Sequence, residues 1–316
     1  MNVNDVKRIS SELEENIGKV IKGKEDTIHM LVAALLSGGN VLLEDVPGSG
    51  KTMLAKTLAA SVGGDFTRIQ MTPDLLPADI TGINFFNAKT SEFEFVRGPV
   101  FTNILLADEI NRATPKTQSG LLESMEEKQV TVDGKTYKLQ EPFMVVATEN
   151  PIDSQGVFPL PEAQLDRFLM KLAMSYPDHS SMVDIMETHM YGFNMDDVKP
   201  VVSIEDVLAA QEVVKKIEVQ KDVVEYVVRI AEASRKHGKV LLGMSQRGAL
   251  GLIRASQALA AMQGREYVIP DDVKKAFPVV CGHRINLKNS ERLLQNGKQE
   301  VMTEILETVA VPAEMI

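Results

Sequence analysis

Hydrophobic positions along the chain follow two spacings, one typical of helices and one typical of buried strands. Apolar residues between positions 6 and 20 recur three or four residues apart, which predicts a helix over residues 5–21. A second apolar stretch, ended by Ser37-Gly38-Gly39, predicts a helix over residues 25–36. Short apolar runs then predict strands at residues 41–43, 66–70, 104–107, 143–147 and 168–174.

The predicted strands are separated by helical stretches, such as residues 53–60 directly after the first strand. Short apolar strands that alternate with helices predict an α/β fold, with a parallel sheet flanked by helices on both faces. Two segments interrupt this pattern and predict hairpin insertions. They are residues 83–96 and residues 129–139, the latter around the turn pair Asp133-Gly134.

Strand signals fade after Tyr176-Pro177, and the rest of the chain has helical spacing. The predicted helices cover residues 178–190, 203–216, 221–236, 245–262, 270–278 and 298–310. This change predicts an α/β nucleotide-binding domain over residues 1–176 and a smaller all-α domain over residues 177–316.

Composition narrows the classes of function. The chain has 316 residues and a formal net charge of −10, which argues against a protein built to bind nucleic acid or an anionic membrane. Its single cysteine, Cys281, excludes an intrachain disulfide and is predicted to be a small core residue. The charged, helix-patterned start lacks the apolar core of a signal peptide, and the apolar runs are too short to span a bilayer. We therefore expect a cytoplasmic protein without membrane insertion.

A glycine-rich turn between the first strand and the next helix predicts a phosphate-binding loop. Such a loop turns main-chain N–H groups toward the phosphates, and the following helix directs its positive end at them. Lys51 would reach the β- and γ-phosphates of ATP, and the Thr52 hydroxyl would bind magnesium. Asp45 stands where the strict motif has its first glycine. The predicted nucleotide contacts are Asp45, Val46, Pro47, Gly48, Ser49, Gly50, Lys51, Thr52 and Met53.

Acidic and amide side chains follow two further strands. Asp108-Glu109 ends the strand at 104–107, a position at which the aspartate can hold magnesium and the glutamate can polarise the attacking water. Asn150 follows the strand at 143–147 and could orient that water beside the γ-phosphate, although an Asn before Pro also forms turns. Arg167 and Arg247 are candidates for neutralising charge that develops on the γ-phosphate, the alternative being surface ion pairs.

The order of these features resembles that of an AAA+ ATPase, a P-loop nucleotide-binding domain followed by a small all-α lid domain. Longer strings are similar to those of the MoxR family. They are residues 70–82 (QMTPDLLPADITG), 104–113 (ILLADEINRA), 158–168 (FPLPEAQLDRF), 264–273 (GREYVIPDDV) and Gly282-His283-Arg284.

The resemblance implies a ring, usually a hexamer, with ATP and magnesium at the interfaces between subunits. Arg167 would then be the arginine finger that reaches a neighbour's nucleotide, with Arg112 and Arg97 as runners-up. Asn150 would be the first sensor and Arg247 the second, in the lid. Relatives act as chaperone-like motors on protein clients, often with von Willebrand A domain partners, and their hairpin insertions tend to face the pore or the substrate.

Three classes of function remain open at this stage. The first is an ATP-driven remodelling chaperone. The second is a nucleic-acid-dependent motor or loader, against which the acidic charge counts. The third is a nucleotide-gated assembly platform with little turnover, against which the combination of Glu109, Asn150 and Arg167 counts. A simple kinase fits least, because no segment resembles a lid for an acceptor substrate.

Overall fold

The computed structural model describes residues 1–45, 48–149, 156–190, 192, 195–288 and 297–312. The strands are β1 Val41–Asp45, β2 Phe66–Gln70, β3 Gly82–Asn87, β4 Glu92–Arg97, β5 Ile104–Asp108, β6 Gln129–Val132, β7 Lys135–Lys138, β8 Met144–Glu149, β9 Met170–Met174, β10 Val240–Leu242 and β11 Asn286–Leu287. The helices are α1 Val3–Val20, α2 Glu25–Leu36, α3 Lys51–Ser61, α4 Pro77–Thr81, α5 Pro115–Glu127, α6 Glu162–Leu165, α7 His179–Met190, α8 Ile204–Val214, α9 Lys221–Lys236, α10 Gln246–Met262, α11 Pro270–Cys281 and α12 Gly297–Thr308.

Five strands form the central sheet within the described residues, in the order β2-β5-β8-β1-β9. All of its strand pairs are parallel, as predicted. Alternate residues of a strand point to opposite faces of the sheet, so the apolar side chains of each face are buried by a separate set of helices. Val41 and Leu43 pack into the core with α1–α3, whereas Leu42 packs into the core with α5. The α/β prediction is therefore confirmed.

Both predicted hairpins are present as β3–β4 and β6–β7. They contact each other, since Phe95 of β4 stacks on Tyr137 of β7 with ring centroids 4.1 Å apart. The Asn84 side chain also donates to the Asp133 carboxylate over 2.8 Å. The two insertions therefore form one joined feature on the α5 side of the sheet.

The C-terminal region is helical, with one difference from the all-α prediction. Val240 and Leu242 form a short antiparallel pair with Asn286 and Leu287. A pair of two or three residues is too short to show alternation in the sequence. The first helix, α1, packs against α3 as well as against α8 and α10. The lid and the nucleotide domain consequently share one hydrophobic core. None of the described helices is long and apolar enough to cross a membrane.

Candidate nucleotide-binding site

The predicted phosphate loop follows β1 directly and leads into α3. Gly48 and Gly50 have φ values of +85° and +95°, a backbone conformation that side chains with a Cβ rarely adopt. No atom of the described residues lies within 4 Å of where a Cβ would stand on either glycine, so both glycines face open space. Asp45 is the last residue of β1, whereas the predicted contacts Val46 and Pro47 lie outside the described residues.

The loop suits a chain of phosphates. The helix α3 begins at Lys51, and its first intrahelical hydrogen bond runs from Leu54 N–H to the Gly50 carbonyl. The N–H groups of Thr52 and Met53 precede that bond, so they have no partner within the helix and lie at its positive end beside the loop. The Ser49 hydroxyl is buried and finds no hydrogen-bond partner within the described part of the chain. These donors would be satisfied by phosphate oxygens.

Asp108 is buried at the end of β5, on the same edge of the sheet as the loop, because both follow the carboxyl ends of parallel strands. Its Oδ1 accepts a hydrogen bond of 2.6 Å from the Thr148 hydroxyl. Its Oδ2 pairs with the Arg68 guanidinium, 2.6 Å from Nη2. Hydroxyl and carboxylate oxygens, as in Thr52 and Asp108, are magnesium ligands. The described residues contain no group of three or more His, Cys, Asp or Glu side chains that could hold a metal ion.

Glu109 has a strained backbone, with φ 56° and ψ 53° in the left-handed region. Its N–H donates to the Thr148 hydroxyl over 2.8 Å, so Thr148 fixes Glu109 and Asp108 together. The Glu109 carboxylate pairs with Arg112 Nε at 2.9 Å. Strain of this kind costs about 1–3 kcal/mol and persists only where the surrounding structure holds the residue in place. Such residues are concentrated at active sites and ligand-binding sites. The left-handed turn directs Glu109 away from the line of β5 at the carboxyl edge of the sheet.

Arg167 and Arg247 lie together at the opposite edge of the sheet. Leu169, just after Arg167, donates its N–H over 2.8 Å to the carbonyl of Asn40, the residue before β1. Arg167 Nε lies 3.3 Å from Glu126 at the end of α5, and Arg247 Nη2 pairs with the same carboxylate. One acidic group thus separates two guanidinium groups, at a place suited to a bound anion.

A cavity of about 850 Å³ opens beside these arginines, between the start of the sheet and the helices α2, α8 and α10. Among the charged residues that line it, the basic ones outnumber the acidic ones: Lys128, Arg167, Lys215, Arg247, Arg254 and Arg284, against Glu126 and Asp166. A concentration of positive charge on a chain of net charge −10 indicates a site for an anionic group.

Arg247 lies at the start of α10. The helix begins one residue earlier, at Gln246. The Ser245 hydroxyl accepts the Gly248 N–H over 2.8 Å and caps the helix. Arg247 therefore occupies the first turn of α10.

Two residues of the C-terminal region are buried beneath this edge. Cys281 is fully buried, and burial raises the pKa of its thiol to about 12, which confirms the prediction of a core residue. His283 contacts the Phe168 carbonyl through Nε2 at 3.1 Å. Burial, together with the neighbouring Arg284 cation, lowers the pKa of His283 well below its usual 6.5.

We expect the pH dependence of stability to report on His283. Below pH 6.5 the unfolded chain protonates this imidazole and the folded chain does not, so the folded state binds fewer protons. The free energy of unfolding should fall as the pH drops from 6.5, by up to about 1.4 kcal/mol per pH unit from this group. In His283→Gln that contribution should be absent.

Urea unfolding of both proteins at several pH values measures this difference. At pH 8 the imidazole is neutral in both the folded and the unfolded state. Any difference in the free energy of unfolding between wild type and His283→Gln at this pH therefore reflects packing alone and serves as the reference. Parallel curves for wild type and His283→Gln down to pH 5.5 would contradict the assignment.

Sequence reasoning missed three residues of the site: Arg68, Thr148 and Glu126. The available signals were a cation, Arg68, in a predicted strand and a hydroxyl, Thr148, two residues before the predicted Asn150. Glu126 carries no local signal that separates it from the neighbouring acidic residues Glu123 and Glu127, and it pairs with both arginines. Asn150 itself lies outside the described residues.

The two alternative candidates for the arginine finger, Arg97 and Arg112, contact residues of their own chain. Arg97 lies over the Phe101 ring, 5.3 Å from its centroid, and Arg112 pairs with Glu109 of its own chain. Arg167 differs from both, because it pairs with Glu126 and lies near the start of β1.

Comparison with known proteins agrees with this arrangement. Residues 40–170 match the model of the ATPase family associated with various cellular activities (AAA), and residues 232–313 match that of the AAA lid domain. The chain is 46% identical to the protein YeaC of Bacillus subtilis (strain 168), over 98% of this chain and 97% of that protein. It is 42% identical to Chaperone MoxR1 of Mycobacterium tuberculosis, over 94% of this chain and 80% of that protein.

A solved structure supports the fold as well. A crystal structure of a candidate ATPase from Cytophaga hutchinsonii ATCC 33406 superposes with a TM-score of 0.91 and 37% sequence identity, covering 98% of this chain and 97% of that one. The phosphate loop, the Asp108-Glu109 strand end and the helical lid are thus combined in a chain that matches MoxR1 over most of its length, and the chain belongs to the MoxR family of AAA+ ATPases.

Proposed function

We propose that the chain hydrolyses ATP with magnesium at sites shared between neighbouring copies in a ring, and that it uses the hydrolysis cycle to remodel or assemble protein complexes. The observation that carries the proposal is the separation of the site residues. Lys51, Asp108 and Glu109 lie at the carboxyl edge of the sheet, whereas Arg167 and Arg247 lie at the opposite edge.

That separation is longer than an arginine side chain. The five residues of β1 span roughly 16 Å at the rise of a parallel strand. Arg167 and Arg247 therefore cannot reach the phosphate loop of their own chain in this arrangement. A second copy, placed with its carboxyl edge against these arginines, would complete the site. Such a head-to-tail contact uses two different surfaces and gives a ring when the rotation between successive copies closes; the family resemblance favours a ring of six copies.

Each residue has a role in this mechanism. Lys51 and the N–H groups of the loop bind the phosphates, and Thr52 and Asp108 would hold magnesium, which neutralises charge on the phosphate oxygens. Glu109 polarises the attacking water and Asn150 orients it. Arg167 and Arg247 of the adjacent copy neutralise the charge that develops on the γ-phosphate. In the free chain Glu126 stands between those arginines, and phosphate oxygens would replace it.

The joined hairpins supply a surface for protein clients. Phe85, Phe86 and Phe93 are 42%, 53% and 73% exposed, and the rings of Phe86 and Phe93 meet edge-to-face. Exposed apolar clusters mark interaction sites. The name of the relative Chaperone MoxR1 supports the same proposal. A von Willebrand A domain protein is the partner that the family resemblance favours.

Hydrolysis measured against protein concentration tests the shared site. We expect the specific activity to rise with concentration, because a lone chain lacks the arginines at its own phosphate loop. ATP should also shift sedimentation toward the assembled form, since a ligand at an interface stabilises that interface. Lys51→Ala provides the background rate.

Three results would contradict the proposal in different ways. Constant specific activity over a range of protein concentration in which the chain sediments as a monomer would mean that the site is not shared between copies. Binding of ATP without hydrolysis at any concentration would favour a nucleotide-gated platform. Salt-sensitive DNA binding that stimulates hydrolysis would favour a nucleic-acid motor.

A further inference from the structure

Arg284 is a buried cation whose side chain is 3% exposed. It belongs to the string Gly282-His283-Arg284, to which the proposed function assigns no role. Its Nε donates to the Asp166 carboxylate over 2.6 Å. Its other nitrogens donate to main-chain carbonyls of Asp166 at 2.9 Å, Phe168 at 2.6 Å and Leu169 at 3.1 Å, and also to that of Val280. The guanidinium thus binds the main chain on both sides of Arg167.

The ion pair of Asp166 and Arg284 also contacts α10, the lid helix that carries Arg247. The Ser245 hydroxyl, which caps α10, lies 2.9 Å and 3.0 Å from the two carboxylate oxygens of Asp166. Gly248 packs directly on Arg284, since a Cβ there would stand 2.8 Å from Arg284 Cδ. Asp166 precedes Arg167, and Ser245 and Gly248 flank Arg247. One buried ion pair therefore links the two segments that present the arginines.

We propose that Arg284 is a positioning residue for hydrolysis: with Asp166 it holds the Arg167 segment and the first turn of α10 as one rigid unit, so that Arg167 and Arg247 reach the nucleotide of a neighbouring copy as a pair. This inference rests on the proposed function, because it assigns both arginines to a neighbour's site.

The chemistry of this position requires arginine. The planar fork offers five N–H donors in fixed directions, and here all three nitrogens are used. A lysine at the same place keeps the charge but has one nitrogen, so it cannot bind the carboxylate and the separate carbonyls together. Arg284→Lys therefore loosens the link while a cation stays beside Asp166.

The test mixes subunits with complementary defects. Arg284→Lys keeps its phosphate loop and Glu109 but misplaces its arginines, and a displacement of about 1 Å lowers kcat about 100-fold. Glu109→Gln keeps its arginines but lacks the base. We expect each protein alone to be nearly inactive and Arg284→Lys to bind ATP like wild type. In an equimolar mixture about one quarter of the interfaces join an intact loop to intact arginines, so activity should return.

Controls separate positioning from general damage. Arg284→Lys mixed with Arg167→Ala should stay inactive, because both lack functional arginines. Arg265→Lys should keep the wild-type kcat, since Arg265 makes a two-bond ion pair with Asp272 elsewhere in the lid. Ser245→Ala weakens the same link from the side of α10. Ser245→Ala should lose less kcat than Arg284→Lys and should also regain activity when mixed with Glu109→Gln. It replaces Arg284→Lys in the test if that variant does not fold.

The outcomes distinguish this inference from the function on which it rests. If Arg167→Ala complements Glu109→Gln but Arg284→Lys and Ser245→Ala do not, the shared site stands and the positioning role is overturned. Wild-type kcat in both Arg284→Lys and Ser245→Ala also overturns it. If Arg167→Ala itself fails to complement Glu109→Gln, the proposed shared site is wrong and this inference falls with it.

Discussion

Replacing Glu109 with glutamine is expected to lower kcat for ATP hydrolysis by about 10²–10⁴-fold, the usual contribution of a general base. Glutamine has nearly the same shape, and the features that place residue 109 lie in the main chain. Its N–H would still donate to the Thr148 hydroxyl, as that of Glu109 does over 2.8 Å. The substitution therefore removes the basicity of the side chain and leaves the phosphate loop intact. The affinity for ATP should stay close to that of wild type.

Steady-state hydrolysis at saturating ATP, together with equilibrium binding of ATP, measures both quantities. Glu123→Gln is the matched control, because Glu123 is an exposed glutamate of α5 with no role in the proposed site. A comparable loss of kcat in both variants, or a loss of ATP affinity equal to the loss of kcat in Glu109→Gln, would mean that Glu109 does not act as the base.

Replacing Arg167 with alanine is expected to lower kcat by about 10³–10⁵-fold, the range observed for arginine fingers in phosphoryl transfer. The reason is that the guanidinium neutralises charge that appears only in the transition state, so its loss affects the reaction more than binding. Arg167→Lys should recover only part of the rate, since an ammonium lacks the fork that binds two phosphate oxygens. The loss should persist at high protein concentration.

Hydrolysis of Arg167→Ala across protein concentrations, with sedimentation of the same samples, separates chemistry from assembly. Arg97→Ala is the control, because Arg97 is a runner-up for the finger and lies over the Phe101 ring. Near-normal turnover by Arg167→Ala combined with a large loss in Arg97→Ala would move the finger assignment to Arg97. The family assignment would remain, since it rests on sequence and fold.

The charged residues proposed to act in ATP hydrolysis form ion pairs within the single chain. Glu126 pairs with both Arg167 and Arg247, while Arg112 pairs with Glu109 of the same chain. Asp108 in turn pairs with Arg68. Charges used in the proposed reaction are thus balanced within the chain. Nucleotide and a neighbouring copy would have to replace these pairs, which are partly exposed and of the kind that contributes little to stability.

Local sequence was sufficient to predict the strands of the central sheet and to propose half of the site residues. The central strands β1, β5 and β8 are short apolar runs whose residues are buried on both faces, and such runs are recognisable without tertiary information. The phosphate loop depends on glycines within a few residues of one another, because positive φ is a property of single residues. Asp108-Glu109 could be assigned since it directly follows a predicted strand.

The other half of the site was decided by packing. Arg167 and Arg247 are far apart in the sequence, and nothing local shows that both pair with Glu126. Their meeting depends on the order in which parallel strands cross over and on how α10 packs against α2 and beside Leu169. A single arginine in a sequence is more often part of a surface ion pair, so its residue type alone could not decide its role.

By itself, the sequence determined that this protein has an α/β sheet with a phosphate loop and an acidic strand end on one edge, because strand periodicity, glycine conformation and helix starts are local properties. Only the tertiary structure decided that the two arginines lie at the opposite edge. It also showed that Arg284, buried beneath them, binds Asp166 and joins the Arg167 segment to α10. These facts depend on contacts between residues distant along the chain, which hydrophobic burial and strand order bring together and no local pattern records.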